Sequence, residues 1–272
     1  RLTEAVETPL FEHVGRGVHL TEAGEALLDA AREIFDALDR VEMKVSDLKG
    51  LKQGYLRLGV ITIAKYFAPG ALGGFCKKYP GVEVSLEVTN REHLLERLAR
   101  NEDDLYILGQ MPRSDLDLEV IPFAPNPLHV MAHRKHPLAS AGKISLERLR
   151  DEYFIMRESG SGTRATVERM FAEKGLKPKV RMELGSNEAI KHAIMAQLGI
   201  SVLSLHTVTL EAGSGPLAIL DVEGFPIQRT WNVVYPKGKE LSVVAKAFLE
   251  FLKGEEGKLA AKMDKTVKRL CR

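Results

Sequence analysis

The sequence predicts an α/β protein in which two βαβαβ units follow a long, separate helix. Runs of alternating apolar residues recur from residue 55 to residue 235, and amphipathic helical segments separate them. Between residues 27 and 48, apolar residues instead recur at spacings of four and three, which is typical of a heptad helix. The chain has 272 residues, 44% hydrophobic and 28% charged, so it is long enough for more than one hydrophobic core.

The long helix is predicted from residue 21 to residue 50. Thr21 is a candidate N-cap and Gly50 is a stop signal. The helix carries seven apolar residues at heptad a and d positions, called here the seam: Leu27, Ala31, Ile34, Leu38, Val41, Val45 and Leu48. Such a seam is buried most simply against the same seam of a second copy, which predicts a homodimer. The alternative is a long helix that lies on its own domain.

The residues before this helix predict a helix end and a hairpin. Pro9 ends the helical pattern of residues 1–8, and apolar residues flank the segment Gly15-Arg16-Gly17, as in a tight two-stranded hairpin. The chain opens without Met and already in a helical pattern, so we expect a missing N-terminal segment. Residues 1–50 carry a net charge of −5, so charge alone predicts no DNA-binding patch there.

The two α/β units follow from the hydrophobic pattern. The first has strands at residues 56–60, 82–88 and 105–108 and helices at 62–79 and 91–100; the second has strands at 153–156, 180–184 and 200–205 and helices at 163–174 and 187–197. The segment Pro125-Asn126-Pro127 marks a crossing into a second lobe. A helix is predicted at 242–253. The last 20 residues, with a net charge of +4, predict a solvated terminal helix, with a basic contact to a partner as the alternative.

Three strand-to-helix junctions carry small hydroxyl or amide side chains. In open α/β sheets ligands bind outside the carboxyl ends of the strands, where helix N-termini favour anions. The sequence therefore predicts a small-anion site formed by Thr62, Lys65, Gln110, Ser161, Gly162, Thr163 and Asn187. Arg164 could add charge. The alternative is that Thr62, Thr163 and Ser186 or Asn187 are simply N-caps.

Other chemistry is not indicated. The chain has no Walker A loop, no GxSxG motif and no metal-ligand spacing of histidines, so we predict no catalytic set, metal or cofactor. Only Cys76 and Cys271 are present, which fits a reduced, cytoplasmic setting. No apolar run reaches the length of a membrane span, so no membrane association is predicted.

One motif resembles a known family. The run Pro9-Leu10-Phe11-Glu12-His13, followed by Gly15-Arg16 and by Leu20-Thr21-Glu22-Ala23-Gly24, resembles the wing of LysR-type transcriptional regulators, where the pattern is PLFER, GR and LTEAG. The resemblance implies a two-lobed effector domain, similar to periplasmic solute-binding proteins, after a linker helix. It assigns residues 1–20 to the remnant of a winged helix-turn-helix domain, 21–50 to the dimerisation helix, 55–123 and 229–253 to lobe I, 124–228 to lobe II and 254–272 to a basic C-terminal tail.

The resemblance also implies partners and a function. Arg16 and His19 would lie near operator DNA, the effector would be a small anionic metabolite, and the protein would be a homodimer or homotetramer. Residues 65–69 and 75–82 are similar to the branch that controls carbon-fixation (RuBisCO) operons, which implies a phosphorylated or nucleotide effector. The alternatives are a solute-binding protein of a transport system and an α/β enzyme acting on a phosphorylated acid, although no general base or nucleophile is apparent.

Overall fold

The computed structural model describes residues 2–15, 17–48, 51, 53–111, 116–209 and 215–270. The chain begins with α1 (Leu2–Val6) and an antiparallel hairpin of β1 (Phe11–Val14) and β2 (Gly17–Leu20). Gly15 at its tip has a φ of 64°, a left-handed conformation that suits glycine. The predicted helix end and hairpin are therefore confirmed.

The long helix, α2, spans Glu22–Leu48. The Thr21 hydroxyl accepts a hydrogen bond of 3.1 Å from the Gly24 amide, which confirms Thr21 as the N-cap. The predicted stop, Gly50, lies outside the described residues. Four seam side chains are 47–61% exposed, namely Ile34, Leu38, Val41 and Val45. The alternative of a helix lying on its own domain is therefore wrong for this part of the seam.

The remaining strands and helices alternate, as predicted, between residues 54 and 108 and between residues 153 and 204. The strands are β3 (Gly54–Ile61), β4 (Val82–Thr89), β5 (Leu105–Leu108), β6 (Leu118–Pro125), β7 (Leu128–His133), β8 (Tyr153–Arg157), β9 (Lys179–Leu184), β10 (Ser201–Ser204), β11 (Leu217–Leu220) and β12 (Thr230–Pro236). The helices are α3 (Ala68–Lys78), α4 (Arg91–Ala99), α5 (Gly162–Glu173), α6 (Asn187–Met195) and α7 (Val243–Leu270). No helix among the described ranges combines the length and apolar character needed to cross a membrane.

A five-stranded sheet forms the first lobe, in the order β4-β3-β5-β12-β6. β3 is parallel to its neighbours β4 and β5, as predicted, whereas β12 returns antiparallel between β5 and β6. The helix predicted at 62–79 is divided into a 3₁₀ turn at Thr62–Tyr66 and α3. Pro69 explains the division, because proline has no backbone N–H and fits only the first turn of a helix.

The second lobe departs from a simple βαβαβ unit. β8 and β9 are parallel, but β10 does not pair with β8; a single bridge joins Phe154 of β8 to Ile200, the residue before β10. β10 pairs instead with β7, antiparallel, and β11 covers the other edge of β7. All six residues of β7 are buried, so pairing on both edges satisfies backbone groups that water cannot reach.

Helix α7 belongs to the hydrophobic cores of both lobes. Val244, Phe248 and Leu252 pack in the core of the first lobe. Met263 and Leu270, nearer its end, pack in a cluster of second-lobe residues from α6, β10 and β11. The expectation of a solvated terminal helix is therefore wrong for the face that carries these last two residues.

Candidate functional site

A cleft lies between the lobes at the carboxyl ends of β3, β5 and β8. The first lobe lines it with residues 61–63, 90–92, 108, 110 and 229, and the second lobe lines it with residues 157–163. The cavity has a volume of about 60 Å³. At about 10–15 Å³ for each water-sized group, it holds roughly four to six such groups. The size therefore suits a small metabolite rather than a polymer.

Gly162 brings the two lobes into close approach. A Cβ atom added there would lie 2.9 Å from the Gln110 side-chain oxygen and 3.7 Å from both Arg91 Cδ and a terminal nitrogen of Arg229. A contact of 2.9 Å is shorter than van der Waals packing allows. The absence of a side chain at Gly162 thus lets the start of α5 face three polar side chains of the first lobe.

The first turn of α5 is not capped by a side chain. Ser161 is the N-cap residue, and its hydroxyl makes no capping hydrogen bond. Thr163 lies inside the helix, so its interpretation as an N-cap is wrong. Its hydroxyl is buried and has no hydrogen-bond partner among the residues that the structure describes. Open backbone N–H groups beside an unpaired hydroxyl form a favourable environment for an anion.

Two arginines at the cleft are also unsatisfied. Arg229 Nε donates to the Gly109 carbonyl at 3.2 Å, but its Nη1 is buried without a partner. Burial, and to a smaller extent the nearby charges of Arg91 and Arg169, lowers the pKa of Arg229 to about 10. Arg91 donates through Nη2 to the Met111 carbonyl, its Nε is buried without a partner, and burial lowers its pKa. Within the described ranges neither Arg91 nor Arg229 forms an ion pair, so an anion in the cleft would compensate both charges.

Arg157, in contrast, is already compensated. Its Nε and Nη2 donate to the two carboxylate oxygens of Glu158 at 2.6 and 2.7 Å. Its Nη1 donates to Asn187 Oδ1 at 3.0 Å. Asn187 is buried, and its Nδ2 has no partner. The cleft therefore holds a paired arginine on one side and two unpaired arginines on the other.

The structure brings most of the predicted site residues together. Thr62, Gln110, Ser161, Gly162 and Thr163 line the cleft, and Thr62 also donates to the Thr89 carbonyl at 3.1 Å. Asn187 lies one hydrogen bond behind the lining, through Arg157. The seventh predicted residue is placed differently. Lys65 does not line the cavity, and its ammonium group lies 5.2 Å from the ring centroid of Tyr66.

The structure also shows the contacts of Arg164 and of the candidate N-cap at the third junction. Arg164 forms ion pairs with Glu168 and Glu183, so its charge is not open to a ligand. At the third junction the capping interpretation is confirmed, because the Ser186 hydroxyl accepts from the Ala189 amide at 3.4 Å. On the hairpin, His19 is exposed on β2, whereas Arg16 lies outside the described residues.

Sequence reasoning missed the three arginines of the cleft. Arg91 follows β4, and Arg157 is the last residue of β8. Both therefore lie at the carboxyl ends of strands, the positions at which the hydroxyl residues were predicted to bind a ligand. The same rule applied to basic residues would have identified them. Arg229 precedes β12, which only reaches this edge because it runs antiparallel to β5. No local signal reveals that placement.

Comparison with known proteins identifies the family. The model of the LysR substrate binding domain matches residues 49–256. The chain is 54% identical to the HTH-type transcriptional activator CmpR of Synechocystis sp. over 93% of its own length and 83% of that relative. It is 50% identical to the RuBisCO operon transcriptional regulator of Acidithiobacillus ferrooxidans, over 93% and 81%.

A solved structure agrees with these relatives. The regulatory domain of Synechocystis CcmR, in complex with 2-PG, is 53% identical and superposes with a TM-score of 0.72, covering 74% of this chain and 97% of that one. These relatives are regulators, which does not favour the transport and enzyme alternatives. The chain therefore belongs to the LysR-type transcriptional regulators, a family of regulators rather than enzymes, and its relatives include regulators of RuBisCO operons.

Proposed function

We propose that the interlobe cleft of this regulator binds a small phosphorylated anion, and that binding changes how the protein holds operator DNA. One observation carries the proposal: Thr163 Oγ1 and Arg229 Nη1 are buried and unpaired in residues that line one cavity. Unpaired buried donors cost free energy, so they favour a ligand that satisfies them.

The chemistry of the lining favours a phosphoryl group. A phosphoryl group presents three terminal oxygens and can accept from a helix N-terminus, a hydroxyl and a guanidinium at the same time. Here α5, Thr163 and Arg229 offer those three kinds of donor. The complex of the CcmR regulatory domain with 2-PG makes 2-PG the first ligand to test on this chain.

The coupling between ligand binding and DNA binding depends on α2 and on the hairpin before it. We infer a homodimer, or a tetramer built from it, in which the exposed seam of α2 pairs with that of a second copy. His19 on the hairpin, together with Arg16, which lies outside the described residues, would then contact operator DNA. A ligand can change this assembly only if it binds one arrangement of the lobes better than another.

The test measures 2-PG binding by isothermal titration calorimetry. Thr163→Val keeps the shape of the side chain and removes the hydroxyl, so we expect an affinity about tenfold lower, as for the loss of one hydrogen bond to a charged group. Thr266→Val is the matched control, since that buried hydroxyl bonds to the Lys262 carbonyl within α7. Unchanged affinity in Thr163→Val, or no binding of 2-PG to the wild-type protein, would contradict the proposal.

A further inference from the structure

We propose that Glu158 determines the specificity of the cleft. In this view the Glu158 carboxylate is an intramolecular counter-anion of Arg157. By pairing with Arg157, it confines the anionic group of a ligand to the side of the cavity that carries Arg91 and Arg229. The inference rests on the proposed function and adds to it a rule about which anions bind, and how tightly.

The first step concerns Arg157, which already makes hydrogen bonds within the protein. The guanidinium has three nitrogens, and each one has a partner: Nε and Nη2 bind Glu158, and Nη1 binds Asn187. Arg157 is only 6% exposed. A paired, planar contact of this kind is among the strongest hydrogen-bonded ion pairs in proteins. A ligand could therefore bind the Nε–Nη2 edge of Arg157 only by displacing Glu158.

The second step is the position of Glu158 itself. Its side chain is 30% exposed and lines the same cavity as Thr163 and Arg229. It belongs to the loop between β8 and α5, where the Ser161 amide donates to the Glu158 carbonyl at 3.2 Å. Because Glu158 is tethered beside Arg157, it competes with a diffusing anion at a high effective concentration.

The third step is the resulting charge pattern. One side of the cavity presents Arg91 and Arg229, each with a buried nitrogen that lacks a partner. The other side presents the carboxylate of Glu158, which repels a second anionic group. The cleft should therefore favour ligands whose negative charge is compact, and its affinity for any anion should be lower than its three arginines would allow.

Neutralising Glu158 tests this directly. Glu158→Gln keeps one oxygen that can accept from Arg157 and removes the charge. We expect inorganic phosphate and 2-PG to bind about tenfold more tightly by calorimetry, because a unit charge a few ångströms away in a medium of intermediate dielectric is removed. The gain should shrink in 0.5 M KCl, since salt screens the interaction.

Glu173→Gln is the matched control. Glu173 is exposed at the end of α5 and does not line the cavity, so solvent screens its charge and we expect less than a twofold change. An equal gain in both variants would overturn the inference, because it would reflect net charge alone. If the wild-type protein binds 2-PG and Glu158→Gln binds it no better, the inference fails while the proposed function stands. If folded wild-type and variant proteins bind neither probe, the proposed function fails as well.

A second comparison applies if Glu158→Gln does not fold. Arg157→Gln leaves Glu158 uncompensated, whereas Arg157→Gln with Glu158→Gln removes both charges together. We expect the double variant to bind phosphate at least tenfold more tightly than Arg157→Gln alone. Equal affinities in these two proteins would overturn the role of Glu158.

Discussion

Replacing Arg229 by Met should stabilise the ligand-free protein and remove its affinity for anions. Arg229 carries a charge beside Arg91 and Arg169, and no anion among the described residues compensates it. Methionine keeps an unbranched apolar stem of similar length without the charge. The same residue thus lowers folding stability and provides binding energy.

The size of the stability gain follows from the pKa of Arg229. Burial, with the nearby charges of Arg91 and Arg169, lowers that pKa from its ordinary value to about 10, and at 1.36 kcal/mol per unit of pKa the charged folded form is destabilised by about 3 kcal/mol. This penalty acts at every pH below about 10 and disappears at higher pH, where the unfolded chain also loses the proton. Solvent in the open cleft reduces it, and the lost hydrogen bond to the Gly109 carbonyl offsets roughly 1 kcal/mol. We therefore expect a net gain of about 1–2 kcal/mol in the free energy of unfolding, or roughly 2–8 °C in Tm.

Thermal unfolding with and without 2-PG measures both effects. In phosphate-free buffer Arg229→Met should melt above the wild-type protein. With 2-PG at about 100 times its Kd, only the wild-type protein should gain, by roughly 2.7 kcal/mol. Arg134→Met, at an exposed arginine of the second lobe, is the control and should change neither value. A lower melting temperature of ligand-free Arg229→Met, or unchanged 2-PG affinity, would refute the reasoning.

Three further predictions concern the seam, the lobe contact and pH. Leu38→Asp should give monomers in analytical ultracentrifugation, whereas Val18→Asp, at an equally exposed apolar residue of the hairpin, should not; an unchanged mass for Leu38→Asp would exclude the seam as the dimer contact. Tyr66→Phe removes a 2.6 Å hydrogen bond to Glu188 across the lobes, so it should weaken 2-PG binding about fivefold in calorimetry. Equal affinity would show that this contact does not favour the ligand-binding arrangement of the lobes. Burial lowers the pKa of His206 to about 4, so the unfolded chain takes up a proton below pH 6.5 and stability should fall between pH 6.5 and 4. Urea unfolding should show a loss of about 2 kcal/mol from this group at pH 5, and His206→Gln should flatten the slope.

The parts of the fold that were predicted correctly depend on local patterns. The heptad spacing identified α2, and Thr21 fixed its first residue because capping involves only neighbouring residues. Alternating apolar residues located β3, β4 and β5, and short helical connections made them parallel. The domain boundaries and the roles of the predicted site residues stay predictions.

The parts that were missed depend on distant contacts. β10 has the apolar composition of a parallel strand, yet it pairs with β7 because the buried edge of β7 needed a partner. The charged stretch at 253–258 resembled a helix end, although α7 continues through it to a second core. Arg229 reaches the cleft only through the antiparallel return of β12. Sequence periodicity contains no information about these pairings.

The path of α7 restricts how ligand binding can move the protein. At 1.5 Å per residue its 28 residues form a rod about 42 Å long, with one half embedded in each lobe. Wide separation of the lobes would pull either Phe248 or Met263 out of its hydrophobic surroundings into water. Sliding and slight rotation about the rod keep both ends buried. A metabolite in the cleft would therefore reorient two nearly rigid halves by small angles, and the length of α2 would magnify those angles at the DNA.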